Sequence, residues 1–322
     1  MTRVLVTGAA GFIGSHVAEA LVARGDEVVG IDNFDPFYAR ASKERNLREI
    51  GERPGFRFDE LDMLDVDALA PHLTPDTVLV HLAAKAGVRP SIADSVSYAR
   101  VNVAGTAAVL EAARRVGLSR VVFGSSSSVY GDSTPIPFRE DATAVTPVSP
   151  YAATKRAAEL LLVALAPLHG FRVASLRLFT VYGARQRPDL AIHSFARRLA
   201  QGQPLTLFGD GSQARDYTYF ADIVHGVLAA VDWTAAAPVG VDIFNVGGAR
   251  PVPLRTLVST LAGAMGVEPR VEWAPMPAGD VQRTCADLEK SRRVLGYDPR
   301  ISLDEGIARF VTWFRGAYAQ ER

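Results

Sequence analysis

Short runs rich in β-branched residues, at 4–7, 28–32, 56–59, 77–81, 120–125 and 172–177, recur along the first half of this chain. Helical patterns at 13–24, 106–116 and 151–169 fall between several of them. Such apolar runs are strands buried on both faces, and strands alternating with helices build a parallel sheet. The expected fold class is therefore α/β, a doubly wound sheet whose ligands sit beyond the carboxyl ends of its strands. Past about residue 180 the rhythm breaks, and Pro and Gly become frequent. A smaller second domain is expected there, with the strand-like 241–246 returning to the main sheet.

Composition narrows the function. Lys plus Arg and Asp plus Glu number 35 each, so the net charge is zero. No basic or acidic tract invites nucleic acid or a membrane surface as partner. The chain has one cysteine, Cys285, so no intrachain disulfide can form, which fits a reducing, cytoplasmic setting. The opening MTRVLVTGAAGFIG has too short an apolar run for a leader, and AAELLLVALAPL is too short to span a bilayer. No His/Cys/acid spacing suits a metal, and His81 and His193 read as packing residues.

The stretch VLVTGAAGFIGSHVAEAL sets Gly8, Gly11 and Gly14, with Phe12 and Ile13 between them, at a strand-to-helix turn. Glycines there permit the tight turn and let backbone approach a pyrophosphate at the helix N-terminus. The next strand ends in Asp32, where a carboxylate takes the ribose hydroxyls of a dinucleotide and repels a 2′-phosphate. Asn33 follows where an NADP-binding chain tends to offer Arg. The expected cofactor is NAD.

Four adjacent serines close another strand, in FGSSSSVYG, and SPYAATKRAAELLL opens a helix soon after. Ser149 can cap that helix and Pro150 suits its first position. Tyr151 and Lys155 then stand one turn apart on one face. A phenol is a poor base at neutral pH. A nearby ammonium and a positively charged nicotinamide both favour phenolate, and a serine hydroxyl can share the proton transfer. On their own, serines after a strand usually make a solvated turn.

Taken together, the glycine turn, Asp32, LAAKAG, Asn102, SSSSVYG and YAATK resemble an extended short-chain dehydrogenase/reductase of the nucleotide-sugar epimerase family. The likeness runs along nearly the whole chain, through FGDGSQARDYTYFADI and a late PAGD. It implies an NAD-binding Rossmann domain at 1–180, with 217–248 returning to it. It implies a UDP-sugar domain at 181–216 and 249–322. By position it makes Tyr151 the base, Lys155 its electrostatic partner and Ser126 the catalytic hydroxyl. Asp62 and Met63 would flank the adenine, and Leu82, Ala83, Ala84, Lys85, Asn102 and Ser125 would complete the cofactor site. Val88, Arg89 and Phe208 would lie along the substrate, Phe208 near the uracil, with Arg215 and Asp280 at the diphosphate or ribose. UDP-glucose 4-epimerases tend to carry an arginine shortly before that late Gly-Asp, where this chain has Pro277. A homodimer is also implied, with 106–116 and 151–169 pairing across it through Leu161, Leu162 and Leu165.

Related dehydratases and decarboxylases place acids within the serine segment, and SSSSVYG has none. The simplest implied cycle is oxidation at C4, reorientation of the 4-ketosugar and reduction from its other face. FTVYGARQRPDLAIHSF and AGVRPSI resemble UDP-glucuronate 4-epimerases in particular. That likeness implies that Ser127, Ser128, Thr180 and Arg187 surround a sugar carboxylate. An arginine fork with hydroxyls is sound chemistry for one, although Arg185 and Arg187 could instead be a solvated basic loop or bind phosphate. A 4-epimerase of UDP-glucose or UDP-N-acetylglucosamine, a net NAD-dependent nucleotide-sugar dehydrogenase or reductase on the same scaffold, and an NAD-responsive regulator are the competing readings. A regulator has no need of a base.

Overall fold

The computed structural model describes residues 1–142, 146–275 and 281–320. From the N-terminus, β1 (Arg3–Thr7) leads through α1 (Phe12–Ala23) to β2 (Glu27–Asp32), and α2 (Arg40–Ile50) leads to β3 (Phe56–Glu60). A short helix α3 (Val66–Leu69) precedes β4 (Val78–His81). Next come α4 (Val88–Ala93), α5 (Ser95–Ala99), a π-helical turn at Arg100–Ala104 and α6 (Gly105–Arg115). β5 (Arg120–Ser126), α7 (Pro150–His169) and β6 (Arg172–Leu178) follow.

Among the described residues these strands form one seven-stranded sheet, ordered β3-β2-β1-β4-β5-β6-β10, where β10 is Gly240–Val246. Every pairing in it is parallel. This is the doubly wound α/β fold read from the sequence. Side chains alternate across it: Val4 and Val6 pack with α1, and Leu5 packs on the opposite side with α6 and α7. Both clusters are fully buried, which is why the strands carry no polar alternation. The strand order reverses between β1 and β4, and the crevice at that point holds the candidate site.

α7 starts as its sequence requires. The Ser149 hydroxyl accepts from the Ala152 amide at 3.1 Å, Pro150 occupies the first turn, and Gly170 ends the helix at φ 72°. Its inward residues are Ala158, Leu162 and Ala166. Leu162 is therefore core and cannot face a second copy, and Leu165 is partly covered by the same cluster. The large apolar side chains that α7 leaves in solvent are Leu160, Val163 and Leu168.

The second region carries a three-stranded sheet of β7 (Thr180–Tyr182), β9 (Ala214–Tyr219) and β11 (Pro251–Pro253). A two-stranded sheet pairs β8 (Leu205–Phe208) with β12 (Val271–Ala274). Helices α8 (Ala191–Ala200), α10 (Leu254–Met265) and α12 (Leu303–Gln320) share its core. The chain rejoins the main sheet with α9 (Phe220–Trp233), whose Ile223 and Val227 pack against α1. Residues 217–219 thus lie in the small sheet, not in the returning segment.

Another boundary shifts as well. α11 (Glu289–Leu295) sits on β10: the Ser291 hydroxyl donates to the Asn245 carbonyl at 2.6 Å, and Tyr297 donates to Gly247 at 2.9 Å. Ala286, Leu288 and Tyr297 complete the main-sheet core, although sequence position put them in the second domain. The buried Asp216 carboxylate ties these pieces together, accepting from the backbone N–H of Gly248, Ala249 and Ala286 at 2.7, 2.9 and 2.9 Å.

Candidate active site

A cleft of about 460 Å³ opens at the carboxyl ends of β1, β2, β4 and β5, within the range of small-molecule sites. Its floor is the glycine turn. Gly8 has φ 74°, and a Cβ on it would meet the Ala83 nitrogen at 2.9 Å. A Cβ on Gly14 would lie 2.1 Å from the Gly8 carbonyl, so α1 packs directly on the turn. No side chain caps α1, whose first turn contributes Phe12, Ile13 and Gly14 to the wall beside Gly11. Uncapped N–H groups at that position suit an anion.

Asp32 ends β2 at the cleft, 9% exposed. Its Oδ1 accepts from the Phe34 amide at 2.8 Å and from Lys43 Nζ at 3.2 Å, and no described residue donates to Oδ2. Asn33 donates to Asp62 at 3.2 Å, and Asp62 and Met63 both line the cleft. Glycine turn, helix N-terminus, a carboxylate oxygen to which no described residue donates and the Met63 side chain in the wall together fit a dinucleotide with an unphosphorylated ribose.

The stretch Leu82, Ala83, Ala84 and Lys85 forms the next part of the wall. His81, fully within the core, orders it. Thr7 Oγ1 accepts from the Leu82 and Ala83 amides at 3.1 and 3.0 Å, so it donates to His81 Nδ1 at 2.7 Å. The ring proton is then on Nε2, shared with Thr106 at 3.1 Å. Burial first, then the Lys155 charge, hold His81 down at about 3.

Asn102 does not line the cleft, unlike its expected neighbours. Its amide accepts from Lys85 N at 2.8 Å, donates to Lys85 O at 2.9 Å and donates to Thr154 at 3.0 Å. With those groups occupied, it acts on the site by holding the Lys85 backbone against α7.

At the other end stand Ser126, Tyr151 and Lys155, all in the cleft wall. Burial pushes the Tyr151 phenol up, while a hydrogen bond with Ser126 and the nearby Arg187 charge pull it down. Burial lowers Lys155 to about 8, opposed by Glu159 one turn further along α7. Lys155 Nζ donates to the Gly124 carbonyl at 2.7 Å. Ser125 donates to Glu159 at 2.6 Å, so its hydroxyl points into the protein. Burial raises Glu159, but hydrogen bonds from Arg177, Ser125 and Arg156 hold it below the ordinary carboxylate range.

Ser127, Ser128, Thr180 and Arg187 share this end of the cleft with Tyr151. Ser128 donates to Ser126 Oγ at 2.9 Å, so the serines are linked to one another and not spread over a surface turn. Arg187 makes a fork on Asp189, with Nε and Nη2 both at 2.9 Å, and lies 5.4 Å from the Phe37 ring. Its Nη1 has no partner among the described residues. Arg185 points elsewhere, to Glu19 and Glu49, and so is neither solvated nor a phosphate ligand.

Val88 and Arg215 line the cleft, Arg215 donating to the Gln282 carbonyl at 3.2 Å. Arg89 and Phe208 stack on each other at 4.5 Å and are not in the wall. Asp280 and Pro277 lie outside the described residues. Sequence reasoning passed over Phe37, Tyr38 and Lys43, which also line the cleft, and Asp189, which orients Arg187. An aromatic pair and a lysine shortly after an acid-ended strand were the available signal. Nothing local says that the loop folds back.

A glycine turn at an acid-ended strand, with Tyr-x-x-x-Lys and a serine facing it across one cleft, defines a dinucleotide-dependent enzyme of the short-chain dehydrogenase/reductase class. The chain belongs to the NAD dependent epimerase/dehydratase family, whose model matches residues 4–247. A UDP-glucuronate 4-epimerase of Thermodesulfobacterium geofontis is 38% identical over 312 residues, covering 96% of this chain and 95% of its own. A UDP-glucuronic acid 4-epimerase from Bacillus cereus, solved with UDP-glucuronic acid and NAD, superposes with a TM-score of 0.92 at 34% identity. That match covers 98% of this chain and 100% of the other. A dTDP-glucose 4,6-dehydratase from Streptomyces venezuelae, solved with NAD, reaches 0.91 at 33% identity, over 99% of this chain and 98% of its own. Overall shape is shared by both chemistries, so the site's own side chains must separate them.

Proposed function

We propose that this chain interconverts UDP-glucuronate and UDP-galacturonate by NAD-dependent epimerisation at C4. One observation carries the choice of chemistry. Among the described residues, the carboxylates in the cleft wall are Asp32 at the end of β2, with Asp35 and Asp62 on the segments that follow β2 and β3. None stands beside Ser126 and Tyr151, where elimination of water would need a further acid or base. The full-length likeness to UDP-glucuronate 4-epimerases supports the choice of sugar.

Bound NAD supplies the group that takes hydrogen from C4 and returns it to the other face. The protein's part is the proton. Tyr151 takes it from the C4 hydroxyl, with Ser126 sharing the hydrogen bond, and later gives it back. Lys155 favours the phenolate electrostatically. Asp32 holds the adenosine ribose, and the α1 N-terminus faces the pyrophosphate. In this reading the main sheet is the cofactor domain, and the three-stranded sheet with its helices is the substrate domain. Incubation with UDP-glucuronate should yield the C4 epimer while NADH stays far below product. NADH rising in step with product would instead make the protein a net dehydrogenase.

Lys155 should act against stability. Its folded pKa of about 8 lies below the unfolded value near 10.4, so the unfolded state holds more protons between those limits. The ionised lysine therefore destabilises the fold below pH 8, and that cost fades as pH rises towards the unfolded value. Lys155→Met is expected to unfold at a higher temperature than the parent at pH 7, with the difference shrinking above pH 9, while activity is lost. Scanning calorimetry across that range checks the sign.

A homodimer is part of the proposal. Leu160, Val163 and Leu168 on α7, with Val96 on the neighbouring α5, are between 50% and 80% exposed and apolar, and a helix pair from a second copy would cover them. Light scattering at micromolar concentration should give twice the chain mass, and Val163→Asp should reduce it to one. A cytoplasmic setting fits a chain with one cysteine.

A further inference from the structure

Arg185 is 6% exposed, lies outside the cleft wall and holds its backbone at φ 60°, a left-handed conformation that a side chain of this size rarely adopts. Its guanidinium bridges two helices. Nε donates to Glu49 on α2 and Nη2 to Glu19 on α1, both at 2.7 Å. The other oxygen of Glu19 accepts from Arg53 at 2.9 Å, which keeps that carboxylate aimed.

The residue before it is fastened too. The Ala184 carbonyl accepts from His16 Nε2 at 2.9 Å, and His16 stands one turn before Glu19 on the same face of α1. A carbonyl can only accept, so His16 presents an N–H there. Burial first, and then the Arg185 charge, hold His16 down at about 3, so this anchor is neutral throughout the physiological range. His16 is itself stacked on Phe220 at 3.6 Å between ring centroids.

Two residues further on, the chain turns and Arg187 enters the cleft, with its fork on Asp189. The loop that brings Arg187 to Tyr151 comes from beyond the main sheet's core strands. His16, Glu19 and Glu49, which fasten residues 184 and 185, are all on the two helices that frame the cofactor end, while the Gln186 carbonyl is held from the other side by His193 Nδ1 of α8 at 2.7 Å.

We infer that Arg185 is a positioning residue: its clamp on Glu19 and Glu49 sets where the Arg187 guanidinium stands over the sugar, and so sets discrimination for an anionic sugar from the cofactor helices. This rests on the proposed role of Arg187 towards a substrate carboxylate. Misplacing a binding group by about an ångström can cost on the order of a hundredfold. Removing the clamp should therefore cost an anionic substrate far more than a neutral one.

The test compares the parent, Arg185→Met, Arg185→Lys, Arg187→Ala and the double variant that combines Arg185→Met with Arg187→Ala, each checked for retained NAD. Arg185→Met should lower kcat/KM for UDP-glucuronate by roughly ten- to a hundredfold, and for UDP-glucose by less than about threefold. Arg185→Lys should recover part of the loss, since one ammonium can reach one carboxylate but not fork onto two. In the Arg187→Ala background the Arg185→Met loss should disappear, because the two act through one group. Equal losses on both sugars, or additive losses, would overturn the inference. Hydrogen exchange of the Gln186, Arg187, Asp189 and Leu190 amides gives a readout that needs no turnover. Faster exchange in Arg185→Met supports the clamp, and unchanged exchange overturns it. A parent without activity on UDP-glucuronate would count against the proposed substrate, and the clamp would then stand or fall by exchange alone.

Discussion

Tyr151→Phe is expected to lower kcat by roughly 10²–10⁴-fold, the usual contribution of a general acid–base group. The fold should survive, because the ring's contacts remain: Tyr98 meets it edge to face with ring centroids 6.4 Å apart, and the residue's backbone amide donates to Ser91 at 3.0 Å. Cofactor should stay bound, since Gly8, Gly14 and Asp32 are untouched. What disappears is the phenol oxygen whose pKa the neighbouring Ser126 hydroxyl and the Arg187 charge both pull down. Steady-state kinetics with NAD content measured on the same sample checks this. A variant with near-parental kcat and full NAD would mean that another group moves the proton.

Arg187→Ala is expected to be selective. Oxidation of a glucuronate at C4 gives a β-keto acid, which loses CO₂ readily when its carboxylate bond aligns with the carbonyl π system. A protein that turns such a ring over must hold the carboxylate still. Arg187, with Nη1 unengaged by any described residue and Asp189 fixing its fork, stands with Ser127, Ser128 and Thr180 at the Tyr151 end of the cleft. A hydrogen bond to a charged group contributes about 1.5–3 kcal/mol. Losing one or two should cut kcat/KM for UDP-glucuronate by roughly ten- to a hundredfold or more, since 1.4 kcal/mol is about tenfold. UDP-glucose has no carboxylate, so its poor turnover should change little. Some CO₂ and UDP-4-keto-pentose should also escape from the variant. Equal losses on both sugars would move Arg187 to the diphosphate.

The sheet was legible because its strands are buried on both faces: 4–7 and 28–32 have no reason to be apolar throughout otherwise. The glycine turn was legible because its spacing answers a local steric demand, visible in Gly14 pressing on the Gly8 carbonyl. Helix phase was less so. Leu161, Leu162 and Leu165 looked like a second apolar face, but α7 is so rich in leucine and alanine that composition alone cannot say which side meets the sheet. The site's supporting contacts were the least legible. Glu159 meets Arg177 18 residues away, Lys85 meets Asn102 17 away and Arg185 meets Glu19 166 away. No local periodicity encodes those meetings, because they depend on how strands are ordered in the sheet. Arg185 and Arg187 are near-identical in sequence context and opposite in structure for that reason.

The most direct test uses UDP-glucuronate carrying deuterium at C4, incubated with the purified protein in ordinary water without added cofactor, and read by NMR. The expected product is UDP-galacturonate with the deuterium still at C4, because that hydrogen leaves and returns inside one closed site while only the hydroxyl proton passes through Tyr151. Absence of the galacto epimer, or an epimer whose C4 position has filled with solvent hydrogen, would contradict it.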